Sequence, residues 1–314
     1  MNAASPLTSA DRAARIRAEF GLALITAIWG ATFVVVKRLV ESLDAHQLNF
    51  MRFTLAAGAV WLVELAAPRR QASADVARGR DLLQAGAILG VLLFLINEFQ
   101  TQGLRTTTAS KSAFLTGSSI VWTPALTYLL FRRRPTGEVV PASLMGLFGL
   151  GLLIWGVGPL GAAATPPVIG DFLTVLCALA IALHLIATRR YSPRFSTTRL
   201  TAWQLTAVAA INGAIVLFER RPLAIAQPAA IHAQLVFLAL PATALAFWGQ
   251  TRLQRHTTEE RAAVVFLCEP LFGVLFATWL LAERLTGPQW LGAVMILIAM
   301  AAPALRLSPN RPAD

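Results

Sequence analysis

The chain has 314 residues, of which 56% are apolar and only 14% charged, with a mean hydropathy of +0.62. A soluble domain carries about 25% charged residues. This composition therefore excludes an ordinary soluble enzyme, a disordered chain and a disulfide-rich secreted scaffold, and leaves a polytopic helical membrane protein.

A spanning helix needs about 20 apolar residues, and ten such stretches follow one another. The first, Glu19–Arg38, follows Arg12, Arg15 and Arg17 but ends in Lys37-Arg38 rather than at a small-residue cleavage site, so it is read as a retained helix and not a signal peptide. It carries Trp29 and Thr32. The second, Gln47–Ala66, contains Arg52. The third, Leu82–Leu104, puts Asn97, Gln100 and Thr101 on one stripe at i, i+3 and i+4, flanked by Glu98. Thr108–Phe131 holds Phe114, Thr116 and Pro124, and Val139–Val157 is apolar nearly all round. Ile169–Arg189 carries His184, Thr198–Phe218 follows, and Ala233–Leu253 contains Pro241 and Trp248. Glu260–Leu281 contains Glu269 and Pro270, and Gln289–Leu305 closes the set. All-round apolar runs such as Ile88–Ile96 speak against barrel strands, which alternate every second residue.

With the N-terminus in the cytoplasm, 19 of the 27 Lys and Arg residues fall in cytoplasmic segments, seven fall outside and Arg52 lies within a span. That bias expects both termini inside. The net charge of +11 is then a topology signal scattered over separate loops, not a nucleic-acid face.

Self-similarity organises the chain. At a shift of 150, Gln84, Gln100 and Thr101 meet Gln234, Gln250 and Thr251; Thr107, Thr108 and Lys111 meet Thr257, Thr258 and Arg261; and Arg134, Thr136 and Gly137 meet Arg284, Thr286 and Gly287. Five helices per repeat is an odd number, so the second unit enters the bilayer from the opposite side. Inverted pairs of this kind characterise secondary transporters, with the substrate path at the repeat interface.

Ile28-Trp29-Gly30-Ala31-Thr32-Phe33, Phe50-Met51-Arg52-Phe53, the stretch Phe99 to Gly117, Gly170-Asp171-Phe172, Ala202-Trp203-Gln204, Glu269-Pro270 and Ala282-Glu283-Arg284-Leu285-Thr286 resemble EamA-type members of the drug/metabolite transporter superfamily. The resemblance covers residues 19–305. It implies a ten-helix inner-membrane permease of two five-helix repeats, in a family that includes exporters of amino acids and other small metabolites. The expected organisation is a cytoplasmic segment 1–18, a first EamA-like repeat 19–157, a connecting loop 158–168, a second repeat 169–305 and a cytoplasmic tail 306–314. Two positions depart from the family: Arg132-Arg133-Arg134 replaces the usual Gly-Glu-Arg tail, and Glu98 stands where relatives often have an apolar or small polar residue.

An ionisable group within a span costs about 2.5–3.5 kcal/mol on insertion scales, so each needs a reason. Glu269, near midplane and beside the helix-breaking Pro270, is the leading candidate for substrate contact or proton exchange. Glu98 and His184 are further proton-coupling candidates, with a pair to Arg52 or Arg105 and a hydrogen-bonded core histidine as the respective alternatives. Trp29, Thr32, Asn97, Glu98, Gln100, Phe114, Thr116, Trp248 and Glu269 are the expected cavity residues. Arg52 is read as structural, snorkelling or paired with Glu98 or Glu41, with anion binding as the alternative. Pro124, Pro241 and Pro270 are candidate kinks for gating.

No metal-ligand spacing, nucleotide-binding motif or cofactor motif is present, and the two cysteines read as packing residues. The expected function is secondary transport of a small metabolite such as an amino acid, outward, by alternating access. The expected partners are that substrate, the bilayer and, as a candidate, protons, with no nucleic acid. The alternatives are a passive channel or facilitator, an uptake carrier and, last, an intramembrane enzyme, for which no nucleophile–base pair is visible. The preference for Arg over Lys fits a GC-rich bacterium and hence an inner membrane.

Overall fold

The computed structural model describes residues 9–39, 43–66, 79–104, 106–107, 109–135, 137, 139–155, 169–220, 228–281 and 286–305. Residues 1–8, the connecting loop 158–168 and the tail 306–314 of the expected organisation lie outside the described residues. The described elements are all helical: α1 (Ser9–Leu39), α2 (Ala45–Ala66), α3 (Gly79–Leu104), α4 (Ala109–Gly117), α5 (Ser119–Phe131), α6 (Val139–Trp155), α7 (Ile169–Tyr191) and α8 (Thr197–Phe218). They continue as α9 (Ala229–Ala239), a π-turn (Leu240–Leu245), α10 (Ala246–Leu253), a 3-10 turn (Gln254–His256), α11 (Glu259–Phe266), α12 (Cys268–Leu281) and α13 (Gly287–Leu305).

Six described segments are long and apolar enough to cross a membrane: Ala45–Ala66, Gly79–Gly103, Phe114–Phe131, Ile169–Tyr191, Thr197–Phe218 and Ala229–His256. Four expected span boundaries need correction, the first because α1 starts at Ser9, ten residues before Glu19. The fourth span is two helices separated at Ser118, the ninth is two helices separated at Leu267, and the eighth starts at Ala229 and is interrupted by the π-turn. In hydrocarbon, irregular backbone survives only where protein or a cavity shelters it.

Small residues set the packing. A Cβ on Gly86 would stand 2.3 Å from Trp203 Cβ, and one on Gly90 would stand 2.4 Å from Ala207 Cβ and 2.7 Å from Gln204 O, so α3 and α8 touch backbone to backbone. A Cβ on Gly149 or Gly292 would meet the opposing carbonyl at 2.9 Å or 2.4 Å, which joins α6 to α13 in the same way. Lipid tails are as apolar as Leu, so close approach and dispersion, rather than hydrophobic burial, hold such helices together. One core cluster joins Phe53, Ala56 and Val60 of α2 to Leu205 and Val208 of α8. A second joins Ile120, Leu150 and Leu153 to Leu267, Leu271 and Ile296. The outward faces, with Leu62, Val63, Leu65, Leu217 and Phe218 exposed, are apolar as a lipid-facing surface requires.

Gly90→Val is expected to lower stability by about 1–3 kcal/mol through overpacking. Gly58→Ala, whose added methyl meets nothing within 4 Å, is expected to raise it by up to about 1 kcal/mol through helix propensity. Thermal unfolding of the detergent-purified variants checks the pair, and equal effects would remove the backbone-contact account of α3 and α8.

Candidate functional site

The departures from the regular helical ladder meet in one region. At the α4–α5 break, Ser118 N donates to both Phe114 O and Leu115 O at 3.2 Å, and its hydroxyl donates to Leu115 O. At the α11–α12 break, Leu267 N turns back to Val264 O at 3.2 Å, and Pro270 offers no N–H to the carbonyl four residues before it. The breaks adjoin: a Cβ on Gly117 would stand 3.6 Å from Leu267 Cδ2. In the π-turn, Thr243 Oγ1 donates to Leu238 O at 2.8 Å and Pro241 occupies the first turn. Turns of this type inside α-helices recur at functional sites.

α1 ties the breaks together. Gly30 lies flat on α12: a Cβ there would stand 2.8 Å from Gly273 N and 3.0 Å from Glu269 O. Trp29, one residue before it, donates its indole N–H to Ala242 O of the π-turn at 2.9 Å. The same ring packs on Phe247 and Phe266, with centroids 5.4 and 5.3 Å away. Thr32 turns inward onto its own helix, donating to Trp29 O at 2.7 Å.

Glu269 is half-buried in the first turn of α12, where the helix dipole favours a negative charge. Among the described residues it makes no side-chain hydrogen bond or ion pair. Its charge bears on Cys177 of α7, which lies beside Thr116 of α4 and donates to Ile96 O of α3 at 3.4 Å. The structure thus gathers Trp29, Thr116 and Glu269, with Phe114 half-buried against the adjoining core.

Arg52 is half-buried, and its Nε donates to Thr243 Oγ1 at 2.5 Å while its guanidinium lies 5.3 Å from the Phe53 ring. This differs from the expected pairing with Glu98. Glu41, the other expected partner, and Arg105 lie outside the described residues. Glu98 instead faces His46, with Nδ1 to Oε2 at 3.6 Å, and accepts from Gln102 Nε2 at 2.9 Å. His46 Nδ1 also meets Asn212 Oδ1 at 3.2 Å. Asn97, Gln100, Thr101 and Gln102 are all half-buried, so the half of α3 nearest its C-terminus offers a polar, partly accessible wall. Asn97 Nδ2 spends one donor on Leu93 O at 2.8 Å.

At the other end of the bundle, toward the start of α1, charged groups are buried in pairs beside a pocket of about 570 Å³ lined by Asp81, Gln84, Tyr191 and Arg194. Glu19 Oε1 accepts from Arg261 Nε at 2.7 Å and from Thr257 Oγ1 at 2.9 Å, with the Arg261 and Glu19 side chains only 4% and 8% exposed. His184 Nε2 meets Gln204 Oε1 at 3.2 Å, Gln204 donates to Thr251 Oγ1 at 3.4 Å, and Gln254 Nε2 donates to Leu185 O at 2.7 Å. His184 is therefore held inside a buried amide–hydroxyl network. Trp248 also sits at this end, donating to Thr198 Oγ1 at 3.3 Å with Arg252 5.8 Å from its ring, away from the breaks. Pro124 is buried within α5, four residues after Ile120. Among the described residues no cluster of His, Cys, Asp or Glu could hold a metal ion.

Sequence reasoning missed Glu19, Arg261, Thr243 and His46. Arg261 and Thr257 had appeared only as matches in the repeat, and Glu19 only as a span end. His46, just before the expected second span, lies in the first turn of α2 after Asp44, whose carboxylate accepts the His46 N–H at 2.9 Å.

Comparison with known proteins agrees with this architecture. The model of the EamA-like transporter family matches residues 16–155 and again residues 168–302, and the chain belongs to that family. A protein of Archaeoglobus fulgidus described as an "uncharacterized transporter" is 30% identical over 298 residues, covering 95% of this chain and 89% of its own. A "probable amino-acid metabolite efflux pump" of Escherichia coli is 28% identical over 290 residues, covering 88% and 91%. One solved crystal structure shares the fold with a TM-score of 0.72 at 17% identity, over 93% of this chain and 97% of that one. The chain is a multi-pass membrane transporter by family, and not an enzyme.

Removing one partner of the buried Glu19–Arg261 pair strands the other, at a cost of about 3–5 kcal/mol. Glu19→Gln and Arg261→Gln are each expected to lower thermal stability strongly, and the double variant by clearly less than the sum. Additive losses in that double-mutant cycle would mean that the two side chains do not interact.

Proposed function

We propose that this member of the EamA-like family exports a small metabolite, such as an amino acid, across a bacterial inner membrane by alternating access. The proposed frame is ten spans in two inverted five-helix repeats, with both termini in the cytoplasm. Glu269 at the α11–α12 break carries the reading: an acid at midplane, half-buried and without a described partner, is what a substrate or proton site requires.

Two further observations support the inverted frame. Breaks fall at Ser118 and at Leu267, within one residue of the 150-residue shift. An acid–threonine pair recurs at opposite ends of the bundle: Thr257 donates to Glu19 at 2.9 Å, and Thr107 donates to Asp171 at 2.6 Å. The threonines lie 150 positions apart (257 minus 107) and the acids 152 (171 minus 19).

The conformation is read as outward-open. The end holding Glu19 and Arg261, cytoplasmic in the proposed topology, keeps that pair buried. The half of the bundle holding Asn97, Gln100 and Thr101 keeps partly accessible polar groups. Alternating access then consists of opening the first end while the second closes. Proton coupling is assigned to Glu269, with Glu98 and His184 as the other candidates.

Proteoliposomes loaded with amino-acid and metabolite pools test this. Efflux is expected to saturate, to run against a gradient, and to change between an acidic and an alkaline exterior. Glu269→Gln is expected to abolish either transport or its response to pH. Normal export by that variant at every pH would remove Glu269 from the mechanism, and unsaturable flux would favour a channel.

A further inference from the structure

We infer that Arg52, held by Thr243 of the π-turn, is the anion subsite of the transport pathway and takes the carboxylate of an amino-acid-like substrate. The inference deepens the transporter reading above and rests on it.

The first ground is charge. Arg52 lies seven residues inside the start of α2 and is half-buried, at a depth where an unbalanced charge is costly. Among the described residues no carboxylate pairs with it: Glu98 is engaged with His46 and Gln102, Glu64 with Arg199, and Glu19 with Arg261. Among the described residues its one side-chain hydrogen bond is the donation from Nε to Thr243. A guanidinium presents a fork of N–H donors that matches a carboxylate two bonds at a time. Among the described residues nothing bonds to its terminal nitrogens, which make that fork.

The second ground is placement. Thr243 is fixed from behind, because its hydroxyl proton goes to Leu238 O at 2.8 Å and its lone pair is left to receive Arg52. That bond exists because the π-turn shifts the ladder by one residue, turning Thr243 toward α2. The neighbouring Ala242 carbonyl receives Trp29. Arg52 and Trp29, from two helices, therefore converge on adjacent residues of one distorted turn. Trp29 brings Phe247 and Phe266, and its own neighbour Gly30 lies on the backbone of Glu269. A cation, an aromatic surface and an acid thus follow one another along the breaks. An α-amino acid with an apolar side chain carries a counterpart to each on one carbon: a carboxylate for the cation, an ammonium for the acid and the side chain for the aromatic surface.

The test uses the full-length protein in proteoliposomes loaded with radiolabelled L-phenylalanine, L-leucine or L-threonine, beside the amide of each. The amide keeps the amine and side chain but loses the anionic charge. For wild type, at least one amino acid is expected to leave, and its amide at least about tenfold more slowly. Arg52→Gln is expected to raise the half-saturating concentration of the amino acid about tenfold or more, with Arg52→Lys restoring part of it, since a point charge remains but the fork is lost. Equal efflux of acid and amide by wild type, or unchanged half-saturation in Arg52→Gln, overturns the subsite while leaving the transporter reading intact. Failure of wild type to move any of the three amino acids overturns the amino-acid reading and the subsite together. The acid–amide comparison needs no variant, so it stands even where Arg52→Gln fails to fold.

Discussion

Backbone polar groups in hydrocarbon must be satisfied within the protein, and everything about this molecule's centre follows from where that rule is strained. A straight helix satisfies it at no extra cost. Here the ladder is interrupted at Ser118, at Leu240–Leu245 and at Leu267, and each interruption is met by a specific donor or by close contact. The Ser118 hydroxyl turns onto Leu115 O, the Trp29 indole supplies Ala242 O, and the Gly30 backbone shields Glu269 O. Each remedy fixes one helix against another. The irregularities are thus also the joints of the bundle, and they bring Glu269, Thr243 and Trp29 into one neighbourhood.

The two ends of the bundle differ in how their polar groups are satisfied. Toward the start of α1 the polar groups are buried and bonded within the protein: Glu19 to Arg261 and Thr257, Gln204 to His184 and Thr251, and Gln254 to Gln250 and the Leu185 carbonyl. A network of that kind is stable while dry and complete, and a partly hydrated version is worse than none. This gives the end two favourable conditions, fully closed or fully wet, which is the behaviour a gate needs. At the other end the polar groups of α3 are half-buried, with Asn97 bonded within its own helix and Glu98 to Gln102 and to His46 of α2.

Much of the fold was legible because hydropathy and length are nearly sufficient to find helices in a membrane chain. The expected Ile169–Arg189 and Thr198–Phe218 fall within a few residues of α7 and α8. The breaks were not legible at their true positions. Pro270 announces a weakness, but the chain parts at Leu267, three residues earlier, where the missing N–H is felt rather than where proline sits. The break at Ser118 follows Gly117, a weak helix former that packs so close to Leu150 that a Cβ there would clash. Side-chain partners were the least legible. Arg52 and Thr243 are 191 positions apart, and Glu98 found His46 because helix α2 starts earlier than its apolar run. Pairing across helices depends on rotation about each axis, which composition does not encode.

In the proposed duplication, the residues that tie the halves together and the residues that carry chemistry behave differently. The ties keep their type: Thr107 and Thr257 each donate to an acid, Asp171 in the first turn of α7 or Glu19 within α1. The chemistry does not. At the 150-residue shift Glu269 falls on Ser119, Thr243 on Leu93 and Arg52 on Ala202. An inverted pair needs matched ties, because both halves must rock about the same axis. A substrate with distinct ends needs an unmatched site, because a two-fold-symmetric cavity would present the same group to both. The positions at which the proposed halves disagree are therefore where specificity is to be sought; Glu269 and Thr243 are disagreements at the breaks, and Arg52 is one bonded to Thr243.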